Sequence, residues 1–232
     1  MSFIKGMLVG AGLVAGTLFL VAAGKPSRFD TIDVKRINVR EDDGTLRMVI
    51  AGRDAFPGAF EDGKEIPRPD RRDFAGILLM NDEGTENGGL IWNGKRGENG
   101  QPSAGASLTF DRYRNDQTLQ LLQTDQGTRD TSALILSDRP ATPFDWEKLR
   151  AAEAVSDPEM QKKMLAEAGV GGATRVYVGR SADRASLVSL RDAKGKARLM
   201  LRVDADGAAR IDFLDEQGKV VRSLTGEGAL SD

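Results

Sequence analysis

Apolar and polar residues alternate along most of this chain, the period of strands with one buried face. Ile32/Val34 and Ile37/Val39 predict a first strand over 31–39, its phase slipping once as at a bulge. Glu41-Asp42-Asp43-Gly44 predicts a tight turn, and Leu46, Met48 and Ile50 alternate as the returning strand of a hairpin. A second hairpin is predicted from 75–80 and 88–92, joined by an oversized acidic connection beginning at Asn81. Segments 106–111 and 118–124 form a third pair across a polar bend. Segment 132–137 follows, with Ala133 to Leu136 continuously apolar, which predicts a strand covered on both faces. The most regular part is the last, with strands over 186–192, 197–203, 208–214 and 219–224. The Asp-x-x-Gly turns beginning at Asp192, Asp204 and Asp215 separate them. Arg47, Arg198 and Arg210 each stand three residues after a turn glycine, near the turn aspartate. The β portions therefore read as diverged copies of one hairpin unit.

Three stretches depart from this alternation. Segment 52–73 holds Pro57, Pro67 and Pro69, two phenylalanines and eleven charged residues, and predicts a long surface loop. Segments 144–154 and 158–168 are rich in helix formers. Asp157 before Pro158 marks a helix start and Gly169 a stop. From Gly6 to Ala23 there are eighteen uncharged residues, about 27 Å as a helix, close to the roughly 30 Å of a bilayer core. We read this stretch as a retained transmembrane anchor. The rival is a cleaved signal segment, with Lys5 as its basic start and Val21-Ala22-Ala23 at its end. Gly6/Gly10 and Gly12/Gly16 are small-xxx-small steps suited to close packing against other membrane helices, although Gly and Ala are also common in transmembrane helices and signal segments at large. Lys25, Arg28, Lys35, Arg36 and Arg40 follow the helix and argue for a cytoplasmic body. Lys5 ahead of a first apolar segment is the secretory arrangement, and whole domains translocate largely regardless of charge. The expected location is the inner membrane, single-pass, with the soluble domain periplasmic.

The expected fold is all-β: antiparallel hairpin repeats in a curved meander or barrel-like sheet, with a small helical insertion and one N-terminal transmembrane helix. The predicted segments are 1–24 for the anchor, 25–140 for a β-rich domain with long loops, 141–172 for the insertion and 173–232 for the hairpin repeats. Composition narrows the chemistry. The 232-residue chain has neither histidine nor cysteine, so no Ser-His-Asp or Cys-His mechanism, disulfide or His/Cys metal centre can be built. The net charge of −2 supplies no field for nucleic acid.

Candidate chemistry is correspondingly thin. Asp82, Glu83 and Glu86, in the run from Asn81 to Gly89, are candidate ligands for a hard cation such as Ca²⁺, although their spacing is also that of a hairpin connection. Asp204 and Asp206 are weaker metal candidates, since aspartate is common at turns. Paired carboxylates with Trp92, Tyr113, Trp146 and Tyr177 would suit a glycosidase or sugar site, but sequence carries no distances. In the loop 54–72, Phe56 and Phe60 accompany Arg53, Arg68, Arg71 and Arg72. Aromatics and arginines are enriched where proteins touch partners, so Phe56, Phe60, Arg68, Arg71 and Arg72 are the candidate contact residues, against a loop packed on itself.

The runs Asp43-Gly-Thr-Leu-Arg-Met-Val-Ile50, Phe56-Pro-Gly58, Gly63-Lys-Glu65 and the stretch 75–89 together resemble an uncharacterised bacterial family of N-terminally anchored or secreted β-rich proteins. The resemblance covers roughly 34–140 and implies compartment and class, without an activity. The expected function is a non-enzymatic, membrane-anchored β-domain, an accessory or scaffolding subunit of a larger integral-membrane complex. A photosynthetic or respiratory complex would be one setting. No cofactor is expected, and the partners are other membrane-protein subunits and the bilayer. The alternative is a secreted or periplasmic binding module for a glycan or envelope component.

Overall fold

The computed structural model describes residues 28–97 and 100–226. The anchor segment and its candidate packing residues Gly6, Gly10, Gly12 and Gly16 lie outside the described residues. Among the described residues, no helix is long and apolar enough to cross a membrane. The chain divides into two compact units, Met1–Val34 and Lys35–Asp232. Every described strand and helix belongs to the second.

Twelve strands form one antiparallel sheet in chain order, interrupted only by a two-stranded hairpin that forms a sheet of its own. The first three sheet members are β1 (Arg36–Arg40), β2 (Leu46–Ala51) and β5 (Ala75–Met80). The separate hairpin is β3 (Ala59–Glu61) with β4 (Lys64–Ile66). The sheet continues through β6 (Glu86–Arg96), β7 (Pro102–Asp111), β8 (Gln117–Asp125) and β9 (Asp130–Asp138). It ends with β10 (Ala173–Arg180), β11 (Ser186–Arg191), β12 (Ala197–Val203), β13 (Ala209–Leu214) and β14 (Val220–Thr225). Two helices, α1 (Trp146–Glu153) and α2 (Pro158–Glu167), occupy the connection between β9 and β10. The all-β architecture is thus present, as an open meander with β1 and β14 as its edges.

Local chemistry explains the elements. Each Asp-x-x-Gly turn closes with the glycine N–H donating to the aspartate carbonyl, as from Gly195 to Asp192 and Gly207 to Asp204. In the turns at Asp192 and Asp215, that first aspartate's side chain accepts two further backbone N–H groups. Arg198 and Arg210 do reach Asp192 and Asp204. The Asp157 side chain caps α2 through Met160 N–H, Pro158 holds the first helical position, and Gly169 leaves the helix at φ +82°.

The structure differs from the sequence reading in four places. The first strand starts at Arg36 rather than Thr31, and its irregularity falls at Val39/Arg40. The 81–85 connection is a tight turn: Asn81 N–H donates to Thr85 O, and Asn81 Oδ1 accepts from Glu83 and Thr85. The strands expected over 88–92 and 106–111 are longer, because β6 and β7 continue pairing as far as Arg96 and Pro102. Finally, β9 is not covered on both faces. Ala133 and Ile135 point to one side and Leu134 and Leu136 to the other, and only Ala133 is buried.

The register divides the sheet into two unlike faces. On the covered face, Val49 on β2 and Leu78 on β5 join Leu46, Ala51, Phe60 and Met80 in the core, with Ala55, Phe56 and Ile91 against it. The segment 52–74 lies over this N-terminal part of the face. Farther along the same row stand Thr109, Gln120, Tyr177, Ser189 and Asp212. The opposite face carries an aliphatic row from edge to edge. A single row of paired residues runs Ile37, Ile50, Ile77, Leu90, Leu108, Leu121, Leu134, Val178, Val188, Leu201, Ile211 and Leu224, one per strand. The neighbouring row runs from Val39 through Met48, Leu79, Gly88, Phe110 and Leu119, then Leu136, Val176, Leu190, Leu199 and Phe213, to Arg222. Many of these side chains are open to solvent, Phe110 at 46% and Leu121 at 48% among them.

Candidate functional site

Two features concentrate unusual chemistry: a charged cleft at one end of the covered face, and the aliphatic face opposite.

The cleft is built by three irregular segments. The segment 52–73, expected as a loop, is an ordered excursion with short 3₁₀ turns at Arg53–Ala55 and Pro69–Arg71 around the β3–β4 hairpin. Phe60 anchors it in the core, at 5% exposure. Gly58 N–H donates to Glu65 Oε1, Asp62 N–H to Thr85 Oγ1 and Gly63 N–H to Gly84 O. A Cβ on Gly58 would sit 1.9 Å from Ile66 O, so the crossing of the two chain segments requires glycine there. The second segment is the β7–β8 turn. Its buried Asn115 donates to Thr142 O (2.7 Å) and Gly169 O (3.1 Å), tying both ends of the helical insertion to the sheet. The third is the insertion itself, whose Phe144 and Trp146 rings lie 5.7 Å apart.

Together they enclose a cleft of about 540 Å³, lined by Phe60, Arg71, Glu86, Asp111, Asp116 and Trp146 among others. Arg71 grips Glu86 through two bonds of 2.7 and 2.9 Å, both side chains 16% exposed, and also donates to Gly58 O. Arg114, at φ +52°, fans out to Asp62, Glu83 and Glu61. Arg139 pairs with Asp116 and donates to Gln117 O. Asp111 is the exception among the carboxylates. Its Oδ1 is buried without a hydrogen-bond partner, and burial pushes its carboxyl up to about 7, helped by Glu86 and Asp116. Nothing in its setting at the end of β7 distinguished it in sequence, because the burial comes from segments far away in the chain on either side.

The candidate cation ligands do not converge. Asp82 is taken by Arg47, Glu83 by Tyr113 and Arg114, and Glu86 by Arg71. Among the described residues no group of three or more acidic side chains is placed to hold a metal. Asp204 bonds Arg202 and Arg210, while Asp206 accepts from the Ala208 N–H within its own turn. The aromatic candidates are also scattered. Trp92 stands on the open face of β6, Tyr177 on the covered face of β10 and Tyr113 in the β7–β8 turn against Glu83, so only Trp146 lines the cleft.

The candidate contact residues of the excursion need correction. Phe60 is a core residue, Phe56 is half-buried against the core, and Arg71 is consumed by Glu86. Arg68 is held by Asp70 in a two-bond pair that lowers the Asp70 pKa. Arg72 alone of the five is exposed. The excursion packs on its own sheet because the apolar face of β2 and β5 needs a cover, and Phe56 and Phe60 are its nearest large apolar groups. The large exposed apolar surface lies instead on the other side of the sheet. It was visible in sequence only as alternating aliphatics, a pattern that does not say which phase is covered.

No protein-family model and no curated protein matches this chain.

Proposed function

We propose that the protein is a non-enzymatic, membrane-anchored β-domain that serves as an accessory or scaffolding subunit of a larger integral-membrane assembly, its soluble body on the periplasmic side. One observation carries this reading: two adjacent, mainly aliphatic and aromatic rows cross the twelve-stranded sheet and have no cover among the described residues. Monomeric proteins rarely expose a contiguous apolar patch beyond roughly 300–600 Å², and larger ones mark association surfaces. The uncharged stretch from Gly6 to Ala23, with its glycine steps, supports the membrane setting. Within the cleft Glu86 and Asp116 are neutralised by Arg71 and Arg139, which fits a structural role, and Asp111 is the carboxyl left unpaired.

Purification of the tagged full-length chain from its native membrane in mild detergent tests the proposal. Recovery in a stable particle larger than one chain is expected. Recovery only as a free monomer would sink it.

A further inference from the structure

We infer that the aliphatic face is covered by a second copy of this chain, the two sheets stacking face to face about a two-fold axis. This rests on the subunit reading above and names the partner of that same surface. Four properties of the face select this occupant.

The first is extent. Eleven inter-strand spacings make the band roughly 50 Å long and two rows make it about 14 Å tall, a footprint on the order of 700 Å². Stable dimers bury about 800 Å² per partner, so the face alone nearly supplies a standard interface. The second is height. A lipid-facing β-surface needs an apolar band of about 25 Å, and the unbroken apolar part of this one is about half that. The row beyond Ile77 and Leu90 is mixed: Trp92, Ala106 and Val203 share it with Gln123, Ser132, Arg180 and Ser186, and these polar groups at its centre are unsuited to acyl chains. The third is composition. Obligate homodimer interfaces resemble a domain core cut in half, and this face has the side chains of a β-sandwich interior without the second sheet. The missing layer is evident in the core, whose cluster draws only on β2, β3 and β5. Among the described residues, the long run from β7 to β14 has no second apolar layer of its own.

The fourth is charge. Arg222, at the β14 end, is the one charged residue in either row. A two-fold axis parallel to the strands lays β14 of one copy over β1 of the other with the rows in register. Arg222 then stands level with Val39 and next to the partner's acidic turn Glu41-Asp42-Asp43, whose Asp42 and Asp43 are exposed. The symmetry makes this contact twice, once at each end of the interface.

Native mass measurement of the full-length chain in mild detergent tests the inference. Two copies per particle are expected. Leu121→Glu combined with Val178→Glu places charge at the centre of the band, on side chains already 48% and 39% exposed. It should raise the dimer dissociation constant by at least a hundredfold while leaving the far-ultraviolet circular dichroism of the sheet unchanged. Arg222→Glu should weaken the dimer about tenfold, and Arg72→Glu, off the face, should leave it intact. A dimer that survives the double substitution overturns the inference, because the copies are then joined elsewhere. A single copy bound to different polypeptides also overturns it while preserving the subunit reading. A single copy free of any other polypeptide overturns both.

Discussion

Asp111 makes the folded state sensitive to pH in a range where this chain is otherwise quiet. Its carboxyl titrates near 7 in the folded protein, raised first by burial and then by Glu86 and Asp116, against 3.8 for an unperturbed aspartate. Because the folded value is the higher, this group favours folding fully below pH 4, and that contribution is lost as pH rises through 7. Linkage over this interval gives a loss of about 2.5 kcal/mol between pH 5 and pH 8, the unfolded chain releasing a proton that the folded one retains. The chain has no histidine, so few other side chains titrate in the same window. Asp111→Asn keeps the shape and removes the ionisation. Urea unfolding at pH 5, 6, 7 and 8 is the assay. The parent chain should lose about 2–3 kcal/mol across the series, and the variant should be nearly flat and the more stable of the two at pH 8. Parallel profiles for the two proteins would mean instead that Asp111 is ionised and satisfied at neutral pH.

The remaining predictions concern the cleft's construction. Arg71→Ala leaves Glu86 unpaired in a setting only 16% exposed. It should cost about 3 kcal/mol in urea unfolding, whereas an exposed pair such as Arg53–Asp54 should contribute under about 0.5. Gly58→Ala drives a Cβ into Ile66 O and should destabilise by about 2 kcal/mol or more, with early proteolysis inside 52–73 as the local signature. Asn115→Ala removes both bonds to the ends of the helical insertion and should cost about 2 kcal/mol, with limited proteolysis moving to 141–172.

Much of the fold was legible where local chemistry decides structure. Asp192, Asp204 and Asp215 with their glycines announce tight reversals in any context, and Asp157-Pro158 announces a helix start. What was not legible depended on distant contacts. The strands of the β3–β4 hairpin are three residues long, too short for a period to show, and they exist because Phe60 reaches a core formed by β2 and β5. The pairing of β9 with β10 crosses a 34-residue connection, and the helix signals inside it masked the adjacency. Of the sites, Phe60 and Arg71 were misassigned for one reason. An aromatic-basic loop reads the same whether it meets a partner or its own sheet, and here the uncovered face of β2 and β5 decides it. The aliphatic row was present in sequence as Leu90, Leu108, Leu121 and Leu134, but only the register brings these into one line.

Cover over this row in the native protein is directly measurable. The chain contains no cysteine, so a single introduced thiol reports on one site without background. Maleimide labelling of Leu121→Cys in intact native membranes, compared with Arg72→Cys on the exposed excursion, measures that cover directly. The thiol at 121 should be protected at least tenfold relative to the thiol at 72, and the protection should disappear on denaturation. Equal and rapid labelling at both positions would contradict that cover.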